Sequence, residues 1–175
     1  MKEEDAPHCV RTDEGKNDNE FLVTRHSQFM IPINVINVYG QQECRISKET
    51  IEKHWEEILA IVNKIEARNE LLVMVGDFNR NLGLNPEKED KPSYGGQLVN
   101  EFLDSGKYIL MNNSKKTLGG PWTRINPANK DNRSVLDLVI ISAELEKHME
   151  SMVIDNKRSP KRVMTLNILI IMPLS

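Results

Sequence analysis

Asp77 and Asn79 stand two residues apart in Gly76-Asp77-Phe78-Asn79-Arg80, directly after the continuous apolar run Leu71-Leu72-Val73-Met74-Val75. Such a run reads as a strand buried on both faces. The end of a strand of that kind fixes polar groups rigidly while their heads meet solvent. The pair suits phosphate chemistry: the carboxylate can orient or deprotonate a water, and the neutral amide can steady a phosphate oxygen without adding negative charge. Gly, Asp and Asn are also ordinary turn residues, so the segment by itself serves equally as a strand-to-loop turn.

Asp137 is the second candidate. In a strand expected over 135–141 it shares one face with Val135, Val139 and Ile141, while Leu136, Leu138 and Ile140 occupy the other. Neither face is polar, so the carboxylate is expected to be at least half-buried. There a charge needs a partner such as a histidine or a cluster of donors, because leaving it bare costs several kcal/mol; the alternative is an edge strand that lets it reach water. Asn37 and Tyr39 share a face near the end of another strand, 31–39, where an amide and a phenol could both touch a phosphate. Equally, Tyr39 could be core and Asn37 could cap a turn.

These residues need elements to position them. Strands are expected over 21–25 and 31–39, with Pro32 at a start where its missing amide is tolerated. Ser47 is a plausible N-cap for a helix over 49–68. Its apolar residues Ile51, Trp55, Ile58, Val62 and Ile65 form one stripe, leaving Glu52, Lys53, Glu56, Asn63 and Lys64 to water. Strand 71–75 follows, then a shorter helix over 97–104 that turns Leu98, Val99, Phe102 and Leu103 inward and stops at Gly106. A strand over 108–111, the segment Trp122-Thr123-Arg124, the strand 135–141, a short helix over 143–148 and a last apolar strand over 167–172 complete the reading. Residues 1–19 show no period and read as a flexible polar arm. Alternating strands and helices make an α/β or α+β layered domain.

Composition narrows the functions. The 175 residues carry 23 basic and 26 acidic side chains, a net charge of −3, with 39% hydrophobic and 5% aromatic residues. That mixture excludes fibrous and wholly disordered chains. The longest terminal apolar run, 166–174, is too short to span a bilayer and is broken by Asn167 and Pro173, so no membrane partner is expected. The acidic start carries no secretory signal. Cys9 and Cys44 lack a metal-type spacing and read as free thiols of an intracellular protein, although a single disulfide stays open. Overall acidity argues against a generic nucleic-acid coat. Charge is uneven, however: residues 1–20 hold seven acids and three bases, and residues 147–165 hold five bases and two acids. Nucleic acid therefore stays possible as a substrate of a locally basic site.

Taken together, Asn37-Val38-Tyr39, Gly76-Asp77-Phe78-Asn79, Trp122-Thr123-Arg124 and Ser134-Val135-Leu136-Asp137 resemble, in order and spacing, the DNase I-like endonuclease/exonuclease/phosphatase superfamily. Residues 17–155 look most like the endonuclease domain of invertebrate non-LTR retrotransposon polyproteins. The resemblance implies an α+β fold, a partial four-layer α/β/β/α sandwich over residues 20–175. It also implies hydrolysis of DNA phosphodiesters with Mg²⁺, Mn²⁺ being possible, and a nuclear location where the substrate is chromosomal. Residue by residue, it gives Asn37 and Tyr39 a place beside the substrate phosphate and Asp77 the task of activating water. Asn79 would bind the scissile phosphate, and Thr123 would lie on the DNA-facing rim. Asp137 would orient a catalytic histidine. Arg80, Arg124, Arg133 and the basic stretch 157–162 would add contacts to DNA.

Two departures accompany these matches. Family domains open with strands bearing an Asn and the metal-ligating Glu, and this chain starts after both. They close with Ser-Asp-His or Thr-Asp-His, whereas here Val163-Met164-Thr165 runs into Leu166-Asn167-Ile168. His8, His26 and His148 read as solvated and His54 as an outward helix residue, so the metal ligands stay unknown. Two functions follow from this. One is a Mg²⁺-dependent DNA endonuclease of retroelement origin with impaired or no activity. The other is a non-catalytic remnant that binds nucleic acid or a partner chain. A third, a phosphomonoester or phospholipid hydrolase, is disfavoured by the retroelement-like blocks at Gly95-Gly96 and Gly119-Gly120-Pro121. Because the covering strands would be missing, the apolar sheet faces of 31–39 and 71–75 are expected to be bare and to drive self-association.

Overall fold

The computed structural model describes residues 9–12, 21–85, 91–119, 122–126, 129–155 and 163–167. Its strands are β1 (Cys9–Thr12), β2 (Phe21–His26), β3 (Ile33–Tyr39), β4 (Leu71–Asp77), β5 (Tyr108–Leu110), β6 (Thr117–Gly119), β7 (Arg124–Asn126), β8 (Asn129–Ser134), β9 (Asp137–Ser142), β10 (Ser151–Asp155) and β11 (Val163–Asn167). Two α-helices, α1 (Lys48–Ala67) and α2 (Tyr94–Leu103), pack on them. The main sheet runs β1-β2-β3-β4-β9-β5, a second sheet runs β11-β10-β6, and β7 and β8 form a separate ribbon. Only β3 and β4 pair in parallel within the main sheet, joined by α1 as a crossover.

Helix α1 begins where the sequence places it. Ser47 Oγ accepts the Thr50 N–H at 3.3 Å, and the buried stripe contains Ile51, Trp55, Ile58, Val62 and Ile65. The stripe is wider than the apolar spacing implies, since Ile61 and His54 are buried too. His54, expected to face outward, lies one position before Trp55 and stacks on the Phe21 ring at 5.9 Å. The imidazole is thus packed between α1 and β2 and not turned to water.

Strand β4 divides its side chains between two cores, as a doubly buried strand must. Leu72 and Met74 join Ile36, Val38, Leu138 and Ile140 under α1 and α2. Val73 joins Val139 and Ile141 on the opposite face. That second face is not bare: Met111, Leu145, Met149, Met152 and Ile154 cover it. The cover thins toward β2, where Leu22 and its cross-strand neighbour Asn37 are both exposed.

Several expectations are corrected. Residues 9–12, read as part of a loose arm, pair antiparallel with β2 from Cys9↔His26 to Thr12↔Val23. Four residues are too few to show a period, and the pairing comes from the open backbone edge of β2. The strand expected from 135 begins at Asp137, and Val135 packs in the helix-side core instead of alongside Val139. Residues 143–148 form a 3-10 helix. The last described strand is 163–167, so the strand expected over 167–172 lies outside the described residues except for Asn167. Cys44 is an exposed free thiol. Among the described residues no helix is long and apolar enough to cross a membrane.

Helix α2 starts at Tyr94, a turn earlier than its apolar spacing indicates, because Ser93 caps it by accepting the Gly96 N–H at 3.2 Å. Gly95 and Gly96 look like helix breakers, but packing requires them. A Cβ on Gly95 would collide with the Arg80 side chain, and one on Gly96 with the Asn81 carbonyl. The glycine pair lets the first turn of α2 lie against the loop that carries Asp77 and Asn79.

Candidate active site

The parallel β3–β4 register sets Tyr39 opposite Asp77, and the antiparallel β4–β9 register sets Asp77 opposite Asp137. The three residues form a row across adjacent strands, with Asn37 two positions down β3 on the same face. The backbone N–H of Asp137 donates to Thr123 Oγ1 at 3.0 Å, and its carbonyl accepts from Asn112 Nδ2 at 3.0 Å. Those groups point away from β4, so Asp77 and Asp137 are a non-hydrogen-bonded pair, the kind in which facing side chains come closest. Asp137 is half-buried, as expected.

Asn112 and Thr123 hold β9 in place at this row. Asn112 Oδ1 also accepts the Val139 N–H at 2.9 Å, so one side-chain amide continues the ladder past the end of β5. Thr123 is 5% exposed, and its Oγ1 accepts the Leu136 N–H at 2.9 Å as well as that of Asp137. It was expected on a DNA-facing rim; it is instead a buried support. The reason is geometric: the kink before β9 turns two successive N–H groups the same way, and a hydroxyl with two lone pairs satisfies both.

The loop after β4 is fixed from several sides. Asp77 Oδ1 accepts the Asn79 N–H at 3.1 Å, and Asn79 takes φ 49°, a left-handed conformation that Asn tolerates. Asn79 Nδ2 donates to the Gly40 carbonyl at 2.7 Å, while the Gly40 N–H donates to the Asp77 carbonyl at 2.7 Å. Position 40 leaves no room for a Cβ beside the Phe78 carbonyl. Arg80, expected to contact DNA, is buried. Its Nη1 donates to the Gln41 carbonyl at 2.6 Å, and its Nε lies 3.7 Å from Glu43 Oε1. Glu43 Oε1 in turn accepts from Ser93 Oγ at 2.6 Å and from the Gly95 N–H at 3.1 Å. A buried guanidinium paired in this way braces the turn after β3 against α2.

Above Asp77 opens a cleft of about 460 Å³, lined by Tyr39, Gly40, Gln41, Gln42, Arg45, Ile46, Asp77, Asn79, Arg124 and Leu136. Tyr39 is 64% exposed, so its phenol is a free-standing wall of the cleft and not core. Arg124 is exposed and reaches the lining; Asn37, Thr123 and Asp137 do not line it. Arg45 and the Gln41-Gln42 pair escaped the sequence reading. Their one signal is proximity in the chain to the strand end that carries Asn37 and Tyr39. The basic stretch 157–162 lies outside the described residues.

Among the described residues, no group of three or more His, Cys, Asp or Glu could hold a metal ion. Asp77 and Asp137 are two carboxylates, and one oxygen of Asp77 already accepts the Asn79 N–H. Mg²⁺ commonly takes one or two carboxylates from a protein and completes its octahedral shell with water and substrate phosphate, so this pair could hold the ion only in such a largely hydrated form.

A sequence model of the family described as endonuclease-reverse transcriptase matches residues 33–160. The chain belongs to that family. The matched span of the endonuclease-reverse transcriptase model takes in Asn37, Tyr39, Asp77, Asn79, Thr123, Arg124 and Asp137. A comparison with curated proteins gives no match. The fold is similar to the endonuclease domain of TRAS1, a telomere-specific non-LTR retrotransposon, with TM-score 0.67 and 15% identity over 91% of this chain and 68% of that one. It is similar to the catalytic domain of Xenopus laevis APE2, with TM-score 0.61 and 16% identity over 84% of this chain and 55% of that one. Sphingomyelinase C from Streptomyces griseocarneus gives TM-score 0.51 and 15% identity over 85% and 53%. The architecture is thus the α+β fold of the DNase I-like endonuclease/exonuclease/phosphatase superfamily. At these identities the likeness concerns the fold alone, and the fold hosts more than one substrate class.

Proposed function

We propose that this chain is a retroelement-type endonuclease domain that binds a DNA phosphodiester in the Asp77 cleft and, by itself, does not cleave it at a meaningful rate. The observation that carries this reading is that Tyr39 and Asp77 line one cleft with Arg124, while Asp137 stands opposite Asp77 in the adjacent strand. Tyr39 offers a phenolic O–H to a phosphate oxygen. Asp77, fixed by the Asn79 N–H, accepts a hydrogen bond from the attacking water and orients it. Arg124 offsets the negative charge that the carboxylates and the phosphate bring together. Asn79 contributes mainly by locking the turn through Gly40.

Among the described residues no group of three or more His, Cys, Asp or Glu stands ready to hold the divalent ion whose charge stabilisation phosphodiester hydrolysis uses, an ion the family resemblance assigns to Mg²⁺ or Mn²⁺. An ion held by Asp77 and Asp137 would keep most of its water shell, and one oxygen of Asp77 is already engaged by the Asn79 N–H. Losing one stabiliser of transition-state charge typically costs on the order of 10²–10³ in rate. The reading therefore separates binding from turnover. Titrating a labelled duplex with the chain tests the first, with affinity expected to fall steeply with salt. A plasmid-nicking assay in Mg²⁺ and in Mn²⁺ tests the second. Salt-dependent binding without nicking is the expected outcome.

A further inference from the structure

The cleft has two cationic walls of separate origin. Arg124 opens β7 immediately after Thr123, whose N–H donates to the Ser134 carbonyl at 3.1 Å, so that wall is tied to the ribbon. Arg45 comes from a different element, the end of the one-turn 3-10 helix over Glu43–Arg45 that follows β3. Its backbone N–H donates to the Gln42 carbonyl at 2.9 Å. Two residues earlier in the same turn, Glu43 is anchored to Arg80, Ser93 and Gly95. A single exposed arginine is ordinary. This one projects from a turn pinned to the interior by a buried guanidinium, into the cleft that holds Asp77. Because α1 returns antiparallel to β3 and β4, the cleft lies at the N-terminal end of α1, with Lys64 near the far end.

We infer that Arg45 is a substrate-binding residue, a phosphate-gripping cation that works with Arg124 to draw a nucleic-acid backbone across the Asp77 row. The inference rests on the reading that the cleft takes a phosphodiester. It follows from sign: the Asp77 carboxylate repels a polyanion, and two guanidinium groups lining the same cleft outweigh it where the chain as a whole is acidic. A guanidinium also matches phosphate geometry with two parallel N–H donors. Contacts of this kind read charge and not base sequence, so the binding is sequence-tolerant. The Glu43–Arg80 pair, with its guanidinium buried, is the positioning element, because it fixes the turn that carries Arg45.

The test is the salt dependence of binding to a fluorescein-labelled duplex oligonucleotide, measured between roughly 50 and 200 mM KCl. Removing one phosphate contact should make the slope of log K against log salt shallower by about 0.7–0.9. Arg45→Gln is expected to show that change and a severalfold weaker affinity, while Arg45→Lys restores the slope. Lys64→Gln, which removes an equal charge far from the cleft, should leave the slope unchanged. Arg45 is exposed, so Arg45→Gln should melt as the unaltered chain does, and circular dichroism checks this. If the unaltered chain binds and Arg45→Gln keeps its slope, Arg45 is not a contact and the inference is overturned while the phosphodiester reading stands. If Lys64→Gln lowers the slope as much as Arg45→Gln, only net charge matters and the inference again fails. If the unaltered chain does not bind the duplex, both fail.

Discussion

Asp77 and Asp137 face each other directly in the β4–β9 ladder, on the side of the sheet that also carries Tyr39 and Asn37. Their backbones are held by different devices: a left-handed turn at Asn79 for one, and the side chains of Thr123 and Asn112 for the other. Two carboxylates in register are costly in an otherwise apolar sheet, since like charges directly opposite destabilise the pair. A fold that keeps them there is organised around what lies above.

Asp137→Asn is therefore expected to leave stability unchanged or to raise it. The substitution preserves the shape and both backbone hydrogen bonds and removes one of two facing charges. Urea melts at neutral pH measure it. A loss of more than about 2 kcal/mol would contradict this and show that attraction on the Asp137 charge outweighs the repulsion from Asp77.

Thr123→Val should be strongly destabilising, because it keeps the shape and orphans two N–H groups in the interior. At about 1–3 kcal/mol for each of the two unsatisfied groups, a loss of about 2–6 kcal/mol is expected, with Thr123→Ser close to the parent. A loss below about 1 kcal/mol for Thr123→Val would contradict the supporting role.

The acid limb of stability should depend on Glu70. The Arg25 guanidinium, with Asn34 and Arg68 beside it, holds the Glu70 carboxyl down at about 2 against an ordinary 4.5. Between those values the unfolded chain binds the extra proton. The stabilisation is therefore complete above about pH 4.5 and disappears as pH falls toward 2. Because Arg25 and Arg68 are partly exposed and screened by solvent, a contribution of about 1–2 kcal/mol at pH 7 is expected. Glu70→Gln should lose it and flatten the pH dependence of the melting temperature below pH 4.5. An unchanged acid limb would contradict this.

Much of the site was legible because its residues announce themselves by contrast. Asp77 follows a run of apolar residues, and Asp137 sits among aliphatic neighbours; both end where an apolar pattern meets polarity. Asn37 and Tyr39 share a face through the two-residue strand period alone. What could not be read was the third dimension of the loops. Thr123 and Arg80 have the look of polar contact residues, yet both point inward, one to cap a kink and the other to pair with Glu43, thirty-seven positions earlier. Arg45 shows the reverse, an unremarked residue brought to the cleft by a turn. No local pattern encodes such long-range pairings.

The glycines of α2 give a further check. Gly96→Ala would put a methyl into the Asn81 carbonyl, and the resulting shift of the Asp77–Asn81 loop should cost about 1–3 kcal/mol. Gln97→Ala next to it is exposed and should stay within about 0.5 kcal/mol. Equal effects would show that the loop yields freely.

The most direct test of the account is nicking of supercoiled plasmid by the purified chain in Mg²⁺ and in Mn²⁺, with Asp77→Ala and Asn79→Ala alongside. The account predicts no metal-dependent nicking above background for any of the three, although the unaltered chain binds the plasmid at low salt. Metal-dependent nicking by the unaltered chain that both substitutions abolish would contradict it, and would mean that the Asp77 cleft assembles a working metal site from residues other than those identified.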